Sequence, residues 1–313
     1  MISPRAAAHA SLLLGTAVWG LNFTAMHVLL EQVRPLDVVA VRTLIGAVGF
    51  ALLLVARRQP LPPFSRAEWG RVVLLGLLGV TVFNMAAAFG QEHLPASLSS
   101  LIVSSNPIFT ALVAGAAGIE TLARSQVGGI ALASLGLAVV VLGDAGLGAS
   151  ADRAVLGGAL ILLLAPASWS VYTVLSKPML VRHPPVPVAA LGMIAGAVLL
   201  APTPLLAPGM AGRLAAMTWQ GWAAAFFGGL GSLVLGFVLW NRGLRVLSPS
   251  GAAVYGYLIP VFGLLFAWLL LGEAPTLSLL VGGAAIFVGV VLTNRRTRPS
   301  AETLALLTAA PEP

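Results

Sequence analysis

No cysteine occurs anywhere in the chain, and only 9% of its residues are charged. The first absence removes disulfides, thiol nucleophiles and cysteine-ligated metals. The second is more decisive. A soluble domain carries about 25% Asp, Glu, Lys and Arg, and a chain this poor in charge cannot cover a water-facing surface. Catalytic signatures are missing as well. The sequence holds no HExxH, no GxSxG and no P-loop, which leaves no motif for metal-assisted hydrolysis, acyl transfer or ATP hydrolysis. GLGSLVLG (Gly229–Gly236) has glycines at roughly dinucleotide-binding spacing, but it lies inside an apolar helix with no strand before it, and reads as a packing surface.

What the chain has is apolar length. Of its 313 residues 58% are hydrophobic, and they fall into ten runs of about the 20 residues that a spanning helix needs. The runs lie near 9–30, 38–56, 70–90, 97–118, 125–143, 154–176, 187–206, 219–240, 249–270 and 276–294. The first is longer than the apolar core of a signal peptide, about 7–15 residues, and is expected to be a retained helix. The formal charge of +7 does not indicate nucleic-acid binding, because the basic residues sit in short loops. With a cytoplasmic N-terminus, 13 Lys and Arg fall inside, against Arg34, Arg153 and Arg213 outside. That asymmetry is the positive-inside signature. It places both termini in the cytoplasm, which an even number of helices satisfies.

The chain also repeats itself. Trp19, Pro35, Gly46 and Trp69 recur as Trp169, Pro185, Gly196 and Trp219, 150 positions later. Beyond the third helix the interval is 153, pairing Ser97 with Ser250, Pro107 with Pro260, Glu120 with Glu273 and Gly136 with Gly289. Each half carries five helices. An odd number forces the halves to be inverted relative to each other, an arrangement that recurs in secondary transporters. The fold class expected is therefore all-α integral membrane, with ten transmembrane helices as two inverted five-helix repeats. The repeats are residues 1–150 and 151–298, followed by a disordered cytoplasmic tail, 299–313.

These stretches resemble a known family. TAVWGLNFT, AVRTLIGAVGFALLL, NPIFTALVAGAAGIETLARSQVGGIALASLGLAVVV and its partner IPVFGLLFAWLLLGEAPTLSLLVGGAAIFVGVVL resemble the EamA-type transporters of the drug/metabolite transporter superfamily, over essentially the whole chain. Bacterial exporters of amino acids and similar metabolites look most alike in size and layout. The resemblance implies an alternating-access carrier of the bacterial inner membrane with a central cavity, lined by helices 1, 3, 4, 6, 8 and 9. It also implies a small-molecule substrate as partner, and no cofactor, metal or nucleic acid. With both halves in one chain, a monomer holds the whole pathway.

Candidate residues follow from helical faces. Trp19, Asn22 and Phe23 share a face of the first helix with Met26, and Trp169, Tyr172 and Thr173 occupy the matching face of the sixth. Aromatic walls with a few polar groups suit a small amphipathic ligand, and an aromatic face can hold an ammonium. Ser100 and Ser104 share a face with Pro107 in the fourth helix, and Tyr257 with Pro260 in the ninth. Close packing by small residues competes with the cavity reading for the serines. Asn84 and Trp240 are further candidates. Pro107, Pro166 and Pro260 are expected kinks, since a mid-helix proline removes a backbone bond.

Arg42 is the only basic residue well inside a predicted helix. A structural or gating role competes there with snorkelling to the interface. Glu120 and Glu273 precede helix starts, where a carboxylate serves as a cap. Lys177, near the end of the sixth helix, is expected to anchor at the interface. No Asp or Glu falls mid-helix. Proton and sodium coupling commonly use such a carboxylate, so gradient-driven export stands beside proton antiport. The expected function is export of amino acids or related metabolites. Export of drugs or nucleosides, or a membrane protein that does not transport, are the alternatives.

Overall fold

The computed structural model describes residues 3–92, 99, 102–119, 123–144, 153–271 and 277–294. Among these residues the chain is helical, with no strand. Seven helices are long and apolar enough to cross a bilayer. They are α1 (Pro4–Leu30), α2 (Pro35–Ala56), α3 (Arg66–Gln91), α6 (Gly157–Arg182, helical from Arg153), α7 (Pro185–Leu206), α8 (Trp219–Val246) and α9 (Pro249–Phe266, helical on to Leu271). Between and after them lie α4 (Asn106–Ala116), α5 (Arg124–Asp144) and α10 (Leu277–Asn294). The expected tail and the two glutamates Glu120 and Glu273 lie outside the described residues, as does Ser100.

Local chemistry sets the helix starts. Ser3, Ser65, Thr218 and Ser248 accept backbone N–H bonds as N-caps. Pro35, Pro185 and Pro249 occupy the first turn, where the missing N–H costs nothing. Large apolar side chains face outward along the helices, among them Leu44, Leu52, Val55, Leu112 and Val198. Lipid solvates such a surface; water would not. Lys177, expected at the end of its helix, is held by backbone. Its ammonium donates to the carbonyls of Leu244, Arg245 and Leu247 at 2.7, 3.0 and 2.7 Å and closes the C-terminus of α8.

The prolines of α4 and α9 break helices rather than bend them. Pro107 sits in the first turn of α4, after a turn at Ser104–Ser105. Pro260 lies just past a 3-10 stretch, Val254–Tyr257, that separates Pro249–Ala253 from Leu258–Leu271. Pro166 lies inside the continuous α6.

Both α3 and α8 loosen into π-helix in their middles. The segments begin 150 positions apart, at Leu77 and Phe227, and end 153 apart, at Val82 and Leu235. The interval therefore changes from 150 to 153 within the wide turns of α8. Contacts on either side keep step with that shift. A Cβ on Gly90 of α3 would strike Leu162 of α6, and one on Gly243 of α8 would strike Leu12 of α1. Leu12 and Leu162 are 150 apart; the two glycines are 153 apart.

Candidate functional site

The broken and widened helices surround a cavity whose empty space, open solvent at its mouth included, is about 780 Å³. Its floor is aromatic. Trp19, Trp169 and Trp240 meet with ring centroids 5.3–5.7 Å apart, and Phe83 and Phe237 close on Trp169 at 5.3 and 5.1 Å. The Trp19 indole N–H donates to the Ser232 carbonyl at 3.0 Å. Gly236 makes room for that ring, since a Cβ there would overlap Nε1. The indole nitrogen of Trp240 is buried without a partner.

Polar groups stand above this floor. Asn22, Asn84, Gln91 and Asn106 line the wall together with Arg42. Asn84 donates to the Val80 carbonyl at 2.8 Å, a bond within its own helix that leaves its side-chain oxygen uncommitted. Asn106 is held through its oxygen by the hydroxyls of Thr110 and Ser170, at 2.9 and 2.8 Å.

Arg42 does not snorkel. It is 5% exposed, and its guanidinium turns into the cavity wall. One amino group donates to Asn22 Oδ1 at 2.9 Å, another meets the Met26 sulfur, and Nε has no partner. Gly228 of α8 is the reason the side chain fits, for a Cβ there would collide with Nε. The residue 150 positions beyond Arg42 is Gly192, and among the described residues Arg42 is the one charged group of the lining. Among the described residues no carboxylate pairs with it, and no Asp or Glu lines the cavity.

Of the residues expected at the cavity, Trp19, Asn22, Phe23, Asn84 and Trp169 lie on its wall, with Pro166 beside them. Four others lie elsewhere. Tyr172 is beneath the floor, stacked on Trp169 at 4.8 Å and donating to Asn241 Oδ1 at 3.1 Å. Thr173 and Ser104 are buried between helices. Tyr257 is buried and shares a 2.6 Å hydrogen bond with Ser134. The sequence reading missed Gln91, Asn106, Phe83 and Phe237. Asn106 carried a signal, a polar residue directly before the helix-breaking Pro107.

Ion pairs and hydrogen bonds tie the two halves at both ends of the helices. On the side of Gln91, Asp37 accepts from Arg213 at 2.6 and 2.8 Å, and Gln32 accepts from the Thr218 N–H at 3.0 Å. The hydrogen bond to Asp37 raises the pKa of Arg213. On the opposite side Glu68 meets His183 at 2.8 Å, and His9 meets the Tyr255 hydroxyl at 2.5 Å.

A helical membrane chain with an aromatic, nearly uncharged central cavity belongs with the small-molecule carriers. The model of the EamA-like transporter family matches it twice, over residues 7–142 and 156–295, and the chain belongs to that family. A "Probable terminal-alkyne amino-acid exporter" of Streptantibioticus cattleyicolor is 30% identical over 290 residues, 92% of this chain and 93% of that one. A "Probable amino-acid metabolite efflux pump" of Salmonella typhimurium is 28% identical over 288 residues, 90% and 92% of the two chains. A solved crystal structure matches the fold with a TM-score of 0.74 at 21% identity, covering 93% of this chain and 97% of its own.

Proposed function

We propose that the protein exports amino acids or related small metabolites across the bacterial cytoplasmic membrane by alternating access. In this reading α1–α10 form ten spanning helices, residues 1–150 and 151–298 are inverted repeats, and both termini are cytoplasmic. The 13-to-3 distribution of basic residues supports that orientation. The observation that carries the functional reading is the cavity itself, enclosed by helices of both halves, apolar at its floor and polar above. Gln91, near the outer end of α3 in this orientation, puts the polar part of the cavity toward the outer side, with the tryptophan floor and the Tyr172–Asn241 bond on the cytoplasmic side. The amino-acid relatives support the substrate class.

Flux of labelled amino acids through proteoliposomes of the purified protein tests this. Trp169→Ala removes the ring on which the floor converges and should lower flux about tenfold or more in protein that still folds, since a lost aromatic anchor typically costs about 2 kcal/mol. Absence of flux for the whole panel in folded wild-type protein would sink the amino-acid assignment.

A further inference from the structure

We infer that Arg42 is the anion-binding residue of the cavity, and that the cavity selects a carboxylate while leaving the amino group of an amino acid dispensable. The inference rests on the carrier reading and narrows its substrate. A guanidinium presents five N–H donors. Asn22 and Met26 engage two of them, and both acceptors are uncharged. Nε is buried with no partner, and so is the indole N–H of Trp240 on the same cavity. A buried cation without a counter-charge is an expensive arrangement. A ligand carboxylate would relieve it, because its two oxygens match the planar fork of arginine.

The converse holds for an ammonium. Among the described residues the lining offers it neutral oxygens, such as Asn84 Oδ1, and aromatic faces, but no carboxylate. Loading a zwitterion leaves the site with the net positive charge of Arg42, whereas loading a monoanion neutralises it. Monocarboxylates with an aromatic or branched apolar body, lacking the amine, therefore fit at least as well as the amino acids of the same shape.

Three probes with one phenyl ring separate the charges: hydrocinnamate (anion), phenylalanine (zwitterion) and phenylalanine amide (cation). Binding to the purified full chain is read from ligand-induced thermal stabilisation and from tryptophan fluorescence. Hydrocinnamate should bind no more weakly than phenylalanine and about tenfold or more tighter than the amide. Arg42→Gln should level the three, and Arg42→Lys should restore part of the preference for the anion, as a point charge without the fork does. Equal binding of acid and amide to the wild type, or an amine required for binding, overturns the inference even if the variants fail to fold. So does an unchanged preference in folded Arg42→Gln. Wild-type protein that binds none of the three also overturns it. The carrier reading is then judged separately by the flux assay, extended to uncharged and cationic solutes.

Discussion

The crossing of α1 over α9 and the crossing of α6 over α4 occupy equivalent places in the two repeats, yet they are held by different forces. In the first, Gly20 lies directly on α9. A Cβ there would sit 2.7 Å from the Cβ of Phe262, 2.8 Å from the Ile259 carbonyl and 2.9 Å from the Gly263 nitrogen. In the second, Ser170 stands where Gly20 stands, and Asn106 and Thr110 stand where Ile259 and Gly263 do. The Ser170 hydroxyl lies 3.1 Å from the Asn106 carbonyl, 2.8 Å from its side-chain oxygen, 2.7 Å from the Pro166 carbonyl and 3.1 Å from the Thr110 hydroxyl. One crossing is dry backbone-on-backbone contact, of the kind that lets helices approach closely in lipid. The other is pinned by a small hydroxyl–amide network. The lesson is that two crossings paired by a sequence interval can keep a geometry while exchanging its chemistry. We expect the dry crossing to be the one that slides, because close packing without directional bonds offers the smaller barrier to movement.

The largest effect should come from filling the dry crossing. Gly20→Leu places a side chain where backbone already lies, and should destabilise the protein by at least about 3 kcal/mol, the upper range for overpacking. Loss of a monodisperse detergent-solubilised product would register it, and a normal yield with an unchanged melting curve would contradict the packing described. Next come two glycines that the repeats share unchanged. Gly90→Ala and Gly243→Ala press on Leu162 and Leu12 in the same manner, so each should cost about 1–3 kcal/mol. Thermal melts of the two variants should agree, and a wide gap would show that the halves are not loaded equally. The pinned crossing should respond less. Asn106→Ala removes the shared acceptor and should cost about 1–2 kcal/mol, near the maximum for a polar contact between membrane helices. Ser170→Gly converts the pinned crossing to the dry type and should cost only about 0.6 kcal/mol. If α1–α9 is the moving contact, Ser170→Gly should alter transport rate less than Gly20→Ala does at matched expression.

Much of this could be read from the chain before folding. Scarcity of charge and long apolar runs announced a helical membrane protein, and the 150 and 153 intervals are mirrored by the paired contacts of Leu12 with Gly243 and Leu162 with Gly90. The cavity was legible in part. Helical periodicity gives the direction in which a residue points, which is why Trp19, Asn22 and Trp169 were found. It does not give depth along the axis. Trp169, Tyr172 and Thr173 share one face, but that face runs from the cavity down through its floor, so the last two are packed below it. Arg42 was visible as a lone charge. Its bond to Asn22 and the gap at Gly228 depend on helices distant in sequence, which no local pattern records.

The guanidinium of Arg42, in a cavity lined by no carboxylate among the described residues, has an electrical consequence. If the proposed carrier exports a monoanion, a site that is positive when empty and neutral when loaded would move one net negative charge outward in each cycle. An inside-negative membrane voltage drives that charge, by pulling the empty positive site back toward the cytoplasm. Each 100 mV is worth about 2.3 kcal/mol per charge, enough for a concentration ratio of roughly fiftyfold. A carrier built this way would draw its driving force from voltage alone, and would need no buried acid to carry a proton.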